Sequence, residues 1–303
     1  MKFIPQAQLD KKSWNELVSK NSSDLFSYSW YLDACATDWC VLVDDEWKNG
    51  IALPFASHLG IENTAPAIFG RTLDFIGNDS SFQANAWIEI QKRFKLGRLQ
   101  MERKIDFSAV NPTLKISVSE KVHQTIESEN KLGSQAKRML KKAEKSGILI
   151  QETSDWRGII AIAETELSAK ISEFNEENLN RLRNLTQTLS DTNQLICLGI
   201  FEGDQLTGGM LFARTPTINL YLKGAALPEA KKNGGMYLCM HEFIEKTKAE
   251  NKIFDFGGSS VEGVQRFNYN LGGKDKTYFI YEWDFAPWWY QLAKKAHHLI
   301  KRK

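Results

Sequence analysis

Cysteine is scarce and poorly placed for cross-linking or metal binding. The four cysteines, Cys35, Cys40, Cys197 and Cys239, include no C-x-x-C pair and no histidine neighbour at zinc spacing, so neither a disulfide framework nor a metal site is indicated. They read as reduced, mostly buried thiols. No stretch approaches the roughly 18 uncharged apolar residues that a membrane-spanning helix needs. The opening MKFIPQAQLDKKSW also lacks the apolar segment of a secretory signal, so the expectation is a cytoplasmic protein. Walker, H-E-x-x-H and nucleophile-elbow motifs are missing, and His58 and His123 stand alone in the sequence. Covalent, metal-dependent and nucleotide-hydrolysing chemistries are therefore disfavoured, and no metal is expected.

What is there is an ordinary globular composition, 42% hydrophobic and 25% charged over 303 residues, enough to build one large or two smaller cores. The net charge of +2 conceals a segregation. From Lys131 to Gly147 six basic residues (Lys131, Lys137, Arg138, Lys141, Lys142, Lys145) face one acid, Glu144; from Tyr290 to Lys303 five basic residues face none. The rest of the chain is acidic by eight charges. Positive charge confined to two short segments points to an anionic partner, although a charge run is more often a solvated face.

Periodicity predicts helices from about Ser13 and over SYSWYLDACATDW, then a hairpin in WCVLVDDEWKNGIALPFAS about Asn49-Gly50. Further strands are expected at Ala67 to Ile76 and around Leu114 to Val118. Ile126 to Gly147 reads as a polar bridging helix closed by Gly147. Beyond it come helices at Ile159 to Leu167 and Asn175 to Leu189, then strands at Gln194 to Glu202, Leu206 to Arg214 and Thr217 to Ala226. A helix from Met236 to Glu250 and strands at Lys252 to Phe256 and Thr277 to Asp284 complete the series. A helix joining two strands makes a crossover with parallel neighbours, so the class is α/β (α+β) with a mixed sheet, and ligands bind at strand C-terminal ends beside the crossover.

Three features could carry chemistry. Alternation in Ile218 to Ala226 sets Asn219, Tyr221 and Lys223 on one face, lining a cleft or facing solvent at a sheet edge. Pro228 to Gly235 offers Lys231, Lys232, Asn233 and the amides of Gly234 and Gly235 before a helix, which suits a phosphate or serves as a plain loop. In Phe254-Asp255-Phe256-Gly257-Gly258 an aspartate alternates with aromatics at a strand end, either as a site residue or as a cap on the glycine turn. A helix starting at Pro287 and running to Lys303 combines Trp288 and Trp289 with a basic body, the pattern of a membrane-interface helix or of a terminal helix docked on the core.

Together, Phe254-Asp-Phe-Gly-Gly258, Gly263-Val-Gln-Arg-Phe267 and Leu271-Gly-Gly273 resemble the segment of Fem-type peptidoglycan peptidyltransferases in which D-F-G-G precedes G-x-x-x-F-K and F-G-G. Ala136 to Gly147 is similar to that family's interdomain segment, and Phe26 to Asp33 to its N-terminal aromatic helix. The resemblance implies two tandem domains of the GNAT (Gcn5-related N-acetyltransferase) fold, each a mixed, mostly antiparallel sheet flanked by helices. The expected division is residues 1–125, a basic interdomain helix at 126–147, and a transferase domain at 148–303 that ends in the helix 287–303. It also implies transfer of an acyl or aminoacyl group onto an amine, often of a cell-envelope precursor, from acyl-CoA, aminoacyl-tRNA or a nucleotide-linked compound, at the inner face of the membrane or in the cytoplasm.

On that reading Asp255, assisted by Glu262, positions or deprotonates the amine, and Tyr269 or Tyr221 donates a proton. Lys223 and Arg266 hold anionic parts of substrate beside Phe267, Asn268, Gly257 and Gly258, with Lys231, Lys232, Gly234 and Gly235 on the donor's phosphates. Asn268 departs from the family's lysine, which is linked with transfer from tRNA. The alternative is a non-catalytic RNA-binding or membrane-surface protein that keeps a transferase fold.

Overall fold

The computed structural model describes residues 1–22, 25–105, 116–167, 175–259 and 261–292. They form two compact units: the described residues of Met1–Ser22, Phe26–Lys121 and Tyr278–Lys303 in the first, and those of Ser23–Leu25 and Val122–Thr277 in the second.

The first unit runs β1 (Lys2–Pro5), α1 (Lys11–Asn21), α2 (Ser29–Cys35), β2 (Asp38–Val43), β3 (Gly50–His58), β4 (Ile61–Thr64), α3 (Ser80–Arg93) and β5 (Leu96–Met101). β6 (Ser117–Ile126) then passes into the second unit at Val122. The second unit contains α4 (Ser134–Ser146), β7 (Leu149–Glu152), α5 (Trp156–Leu167), α6 (Glu176–Asp191), β8 (Leu195–Glu202), β9 (Gln205–Arg214) and β10 (Ile218–Ala226). It continues with α7 (Pro228–Lys232), α8 (Gly235–Ala249), β11 (Ile253–Asp255) and α9 (Glu262–Asn270), and β12 (Lys274–Asp284) returns to the first unit at Tyr278.

The strand orders are β1-β2-β3-β4-β5-β12 and β6-β11-β10-β9-β8-β7. Each unit has one parallel pair joined through a helix, β4 with β5 across α3 and β10 with β11 across α7 and α8, and the other described pairings within the units are antiparallel. The α+β class and mixed, mostly antiparallel sheets are therefore as expected.

Most element predictions in the second unit hold, because β8, β9 and β10 have helices on both faces and read as nearly continuous apolar runs. Two expectations need correction. Ile126 closes β6, so the helix predicted from Ile126 begins only at Ser134; Gly133 breaks the chain there, its amide bonded to the Asn270 carbonyl at 2.8 Å. Ala67 to Ile76 forms no strand: Phe69 has φ +63°, and Ile76 makes only an isolated bridge to Gly50. Leu114 lies outside the described residues, while Ser117 and Val118 open β6. The composition also hid α3, whose Phe82, Ala86, Trp87 and Ile90 form a buried helical stripe begun by the Asp79 cap.

Two hydrophobic cores follow. The first gathers Trp87, Phe94, Tyr281 and Trp283; the second gathers Phe212, Phe243 and Phe254, with Phe212 stacked on Phe243 at 3.7 Å between centroids. All four cysteines are buried and none is in a disulfide. Burial pushes the Cys40 and Cys197 thiols up to about 12, and that of Cys239 well above its ordinary value. The native protein should therefore show no thiol reactive toward Ellman's reagent at pH 8, and all four after denaturation; a fast-reacting thiol in the native state would contradict this packing.

Candidate functional site

The parallel pair β10–β11 is short. Its register runs Ile218↔Ile253, Asn219↔Phe254 and Leu220↔Asp255, and β10 continues to Ala226 beyond it. On its other side β11 pairs with β6, Phe254 opposite Ile126 and Asp255 opposite Thr125. Because side chains alternate along a strand, Asp255, Thr125 and His123 share one face of this sheet. His123 Nδ1 lies 3.4 Å from Asp255 Oδ1, and both side chains are almost wholly buried. Asp255 Oδ1 also accepts the Gly257 amide at 2.8 Å, so the carboxylate caps the turn as well as facing the histidine.

The glycines fix that turn. Gly257 and Gly258 have φ of +79° and +81°, and a Cβ on Gly257 would stand 2.6 Å from the Tyr221 carbonyl oxygen.

Lys223 joins Asp255 through an irregularity that strict alternation missed. Tyr221 pairs with Phe212 but Lys223 pairs with Leu211, so Leu222 is a bulge and the two faces exchange there. Asn219 and Tyr221 point to the α8 side: Asn219 Nδ2 donates to Thr247 Oγ1 at 2.9 Å, and Tyr221 packs on Phe212. Burial raises the Tyr221 phenol far above its usual range. Lys223 turns to the other face, that of Leu220 and Asp255, which corrects the expectation that Asn219, Tyr221 and Lys223 share one.

The remaining expected residues gather elsewhere. Tyr269 Oη donates to Asp275 Oδ1 at 2.7 Å, the same oxygen accepts from Gln124 Nε2 at 2.9 Å, and Gln124 Oε1 accepts from Asn268 Nδ2 at 3.1 Å. Gln124 neighbours His123 on β6 and so faces the opposite side of the sheet, which separates Tyr269 and Asn268 from Asp255. Asn268 is buried in this network; Phe267 packs on Tyr237 at 4.6 Å. Glu262 and Arg266 form an exposed i,i+4 pair at 2.8 Å on α9.

On α7, a short helix where the sequence offers a plain loop before α8, Lys231 is bonded to Glu166 at 2.9 Å, and the more exposed Lys232 is 3.6 Å from Glu229. Gly234, at φ +93°, brings α8 against α4: a Cβ there would lie 2.3 Å from the Met139 carbonyl oxygen. Gly235 is similarly close to Ile200. No side chain caps the start of α8, and the amides of Met236 and Tyr237 there have no acceptor inside the first turn.

No family profile matches the sequence, and no curated protein is similar to it. Solved structures are similar in fold. FemX matches with a TM-score of 0.65 and 10% identity over 92% of this chain and 97% of its own. The fold is that of FemX and the tandem GNAT proteins. L-PGS from Bacillus licheniformis follows at 0.59 and 10% over 92% and 93%, and a tandem GNAT protein from the clavulanic acid biosynthesis pathway at 0.52 and 12% over 94% and 99%. In this chain's version of the FemX-like fold, no group of three or more His, Cys, Asp or Glu side chains among the described residues could hold a metal ion.

His123, Gln124 and Asp275 were not singled out from sequence. A usable signal existed, since His123-Gln124-Thr125 sets three polar residues in succession in a strand, and all three are buried.

Two consequences are testable. Gly234→Ala should cost at least about 2 kcal/mol, from its positive φ and the clash with α4, whereas Gly263→Ala, with open space around it in α9, should be neutral or slightly stabilising; thermal melts compare them. The Asp275 bond raises the Tyr269 pKa, so this contribution is complete below about pH 10 and fades as pH rises through the raised value. Tyr269→Phe should destabilise at pH 7 by less than about 1 kcal/mol, because the phenol is partly exposed, and the gap to wild type should close above pH 10.

Proposed function

We propose that this chain is an acyl- or aminoacyltransferase that moves an acyl group onto an amine of a cell-envelope precursor. The observation that carries the reading is the end of the parallel β10–β11 pair, where ligands of such sheets bind, with the Asp255 carboxylate and Lys223 on one face. The fold shared with FemX, L-PGS and a tandem GNAT protein supports the transferase class.

Asp255 takes the proton released by the amine as nitrogen bonds to the acyl carbon and the bond to the leaving sulfur or ribose oxygen breaks. It then returns that proton to the leaving atom, which balances the step without Tyr221 or Tyr269. His123 holds the carboxylate in place, and Lys223 receives an anionic part of substrate. When bound, acyl-CoA would supply an acyl thioester. Its phosphates would be received at the start of α8, by the amides of Met236 and Tyr237 with Lys232 of α7. Arg266 on α9 is a further cation for a nucleotide-linked acceptor.

A second reading, RNA binding without transfer, is favoured by one observation: on α4, Lys137, Arg138, Lys141, Lys142 and Lys145 are exposed, Lys142 Nζ donating to the Lys232 carbonyl at 2.7 Å.

The decisive experiment combines a thermal-shift panel of acyl-CoAs, an aminoacyl-tRNA mimic and UDP-linked muropeptide with a transfer assay using the donor that stabilises. A ligand at 100 times its Kd should add about 2.7 kcal/mol. Asp255→Asn, which keeps an acceptor for the Gly257 amide, should lower turnover at least about 100-fold with little change in melting temperature. Full turnover in that variant would remove Asp255 from the mechanism, and RNA binding with steep salt dependence but no transfer from any donor would replace the transferase reading.

A further inference from the structure

Over most of the molecule, large exposed apolar side chains are scattered singly, as with Leu59 and Leu149. Between Phe285 and Leu292 they are concentrated. Phe285 is 39% exposed, Trp288 76%, Trp289 44% and Leu292 56%, four large apolar side chains within eight residues.

This segment is held in place rather than frayed. Asp284 Oδ1 accepts from the Ala286 amide at 3.0 Å and from Gln291 Nε2 at 3.2 Å. The Phe285 amide donates to the Lys95 carbonyl, and the Tyr290 amide to the Pro287 carbonyl at 3.0 Å. Tyr290 is buried, its ring edge-on to His58 at 6.1 Å. One aromatic side chain thus anchors the turn while its neighbours are presented to water. Trp288 and Leu292, four residues apart in a helical turn, lie on the same side. The sequence that follows, residues 293–303, contributes Lys294, Lys295, Lys301, Arg302 and Lys303 and no acid.

We propose that Phe285, Trp288, Trp289 and Leu292 form a contact surface for an anionic lipid bilayer, with the adjoining lysines and arginine drawn to the headgroups. Tryptophan favours the boundary between headgroups and acyl chains, and stable peripheral binding takes two signals, an apolar insertion and a basic cluster, both of which occur here. RNA fits less well, because leucine adds nothing to base stacking. On α4 the lysines are likewise exposed, but its apolar residues Ala136, Leu140 and Ala143 are already buried and Met139 is half-buried, so it presents no large exposed apolar side chain. The proposal stands independently of the transferase reading.

Co-sedimentation of the full chain with phosphatidylcholine vesicles, with and without about 30 mol% phosphatidylglycerol, tests it. The protein should pellet with the anionic vesicles and far less with the neutral ones. Trp288→Ser combined with Trp289→Ser, and separately Leu292→Gln, should each weaken partitioning, the double variant by about tenfold or more, with the melting temperature unchanged. Lys294→Gln with Lys295→Gln should weaken binding to the anionic vesicles alone. No pelleting with anionic vesicles, a folded double variant that pellets like wild type, or tryptophan-dependent binding to an RNA oligonucleotide without vesicle binding would each overturn the proposal.

Discussion

A strand of three residues inside a sheet needs more than its own hydrogen bonds to hold it, and β11 is such a strand. Its anchor is Phe254, fully buried and in contact with Phe243, Phe212 and Phe256 at ring distances of 6.0, 6.2 and 4.8 Å. Burying a phenylalanine is worth about 2 to 3 kcal/mol, more than a typical backbone bond contributes net. α8 supplies Phe243, so the helix that makes the crossover also clamps the strand at its end. With Phe254 fixed on one face, the pleat leaves Asp255 no choice but the other. The placement of the carboxylate, its approach to His123 and the turn at Gly257 all descend from that aromatic packing.

The two faces of the sheet then take different tasks. On the α8 face, Gln124 joins Asn268, Asp275 and Tyr269 in a hydrogen-bonded network that ties β6 to α9 and the start of β12. Such a network rigidifies around its buried members Gln124 and Asn268, whose amides would be left unpaired if the bond between them broke. A lysine in place of Asn268 would carry its charge into this enclosed position, which accounts for an amide there. The Asp255 face receives α5, which approaches closely where Gly209 leaves room for Ile159. The bulge at Leu222 delivers Lys223 to this face and converts an apolar strand surface into one carrying both charges.

The likeness to FemX is a likeness of backbone at 10% identity, and folds of this kind host more than one chemistry. What the chain binds is therefore a matter for side chains rather than for topology. Here α4 presents an exposed basic face and Phe285 to Leu292 an exposed apolar one, two surfaces of different chemistry and so with different fitting partners. Lys231, which looked in sequence like a phosphate ligand, has its charge balanced by Glu166, a residue 65 positions away.

The sequence by itself determined the mixed α/β class, the strands β8, β9, β10 and β11 with the helix α8, the Asp-Phe-Gly-Gly turn and the segregation of charge, because these depend on periodicity, on conformational freedom at glycine and on composition, all local properties; the helix α7 it read as a loop. It was less informative in the first unit, where short strands, a loop with a left-handed Phe69 and a helix of mixed composition offer weak periodicity. Tertiary structure alone decided which polar residues meet. His123 reaches Asp255 because two strands 132 residues apart pair in one register, and Lys223 changes face because a single residue is skipped against β9. Register and bulges are set by packing between distant segments, which no local pattern encodes.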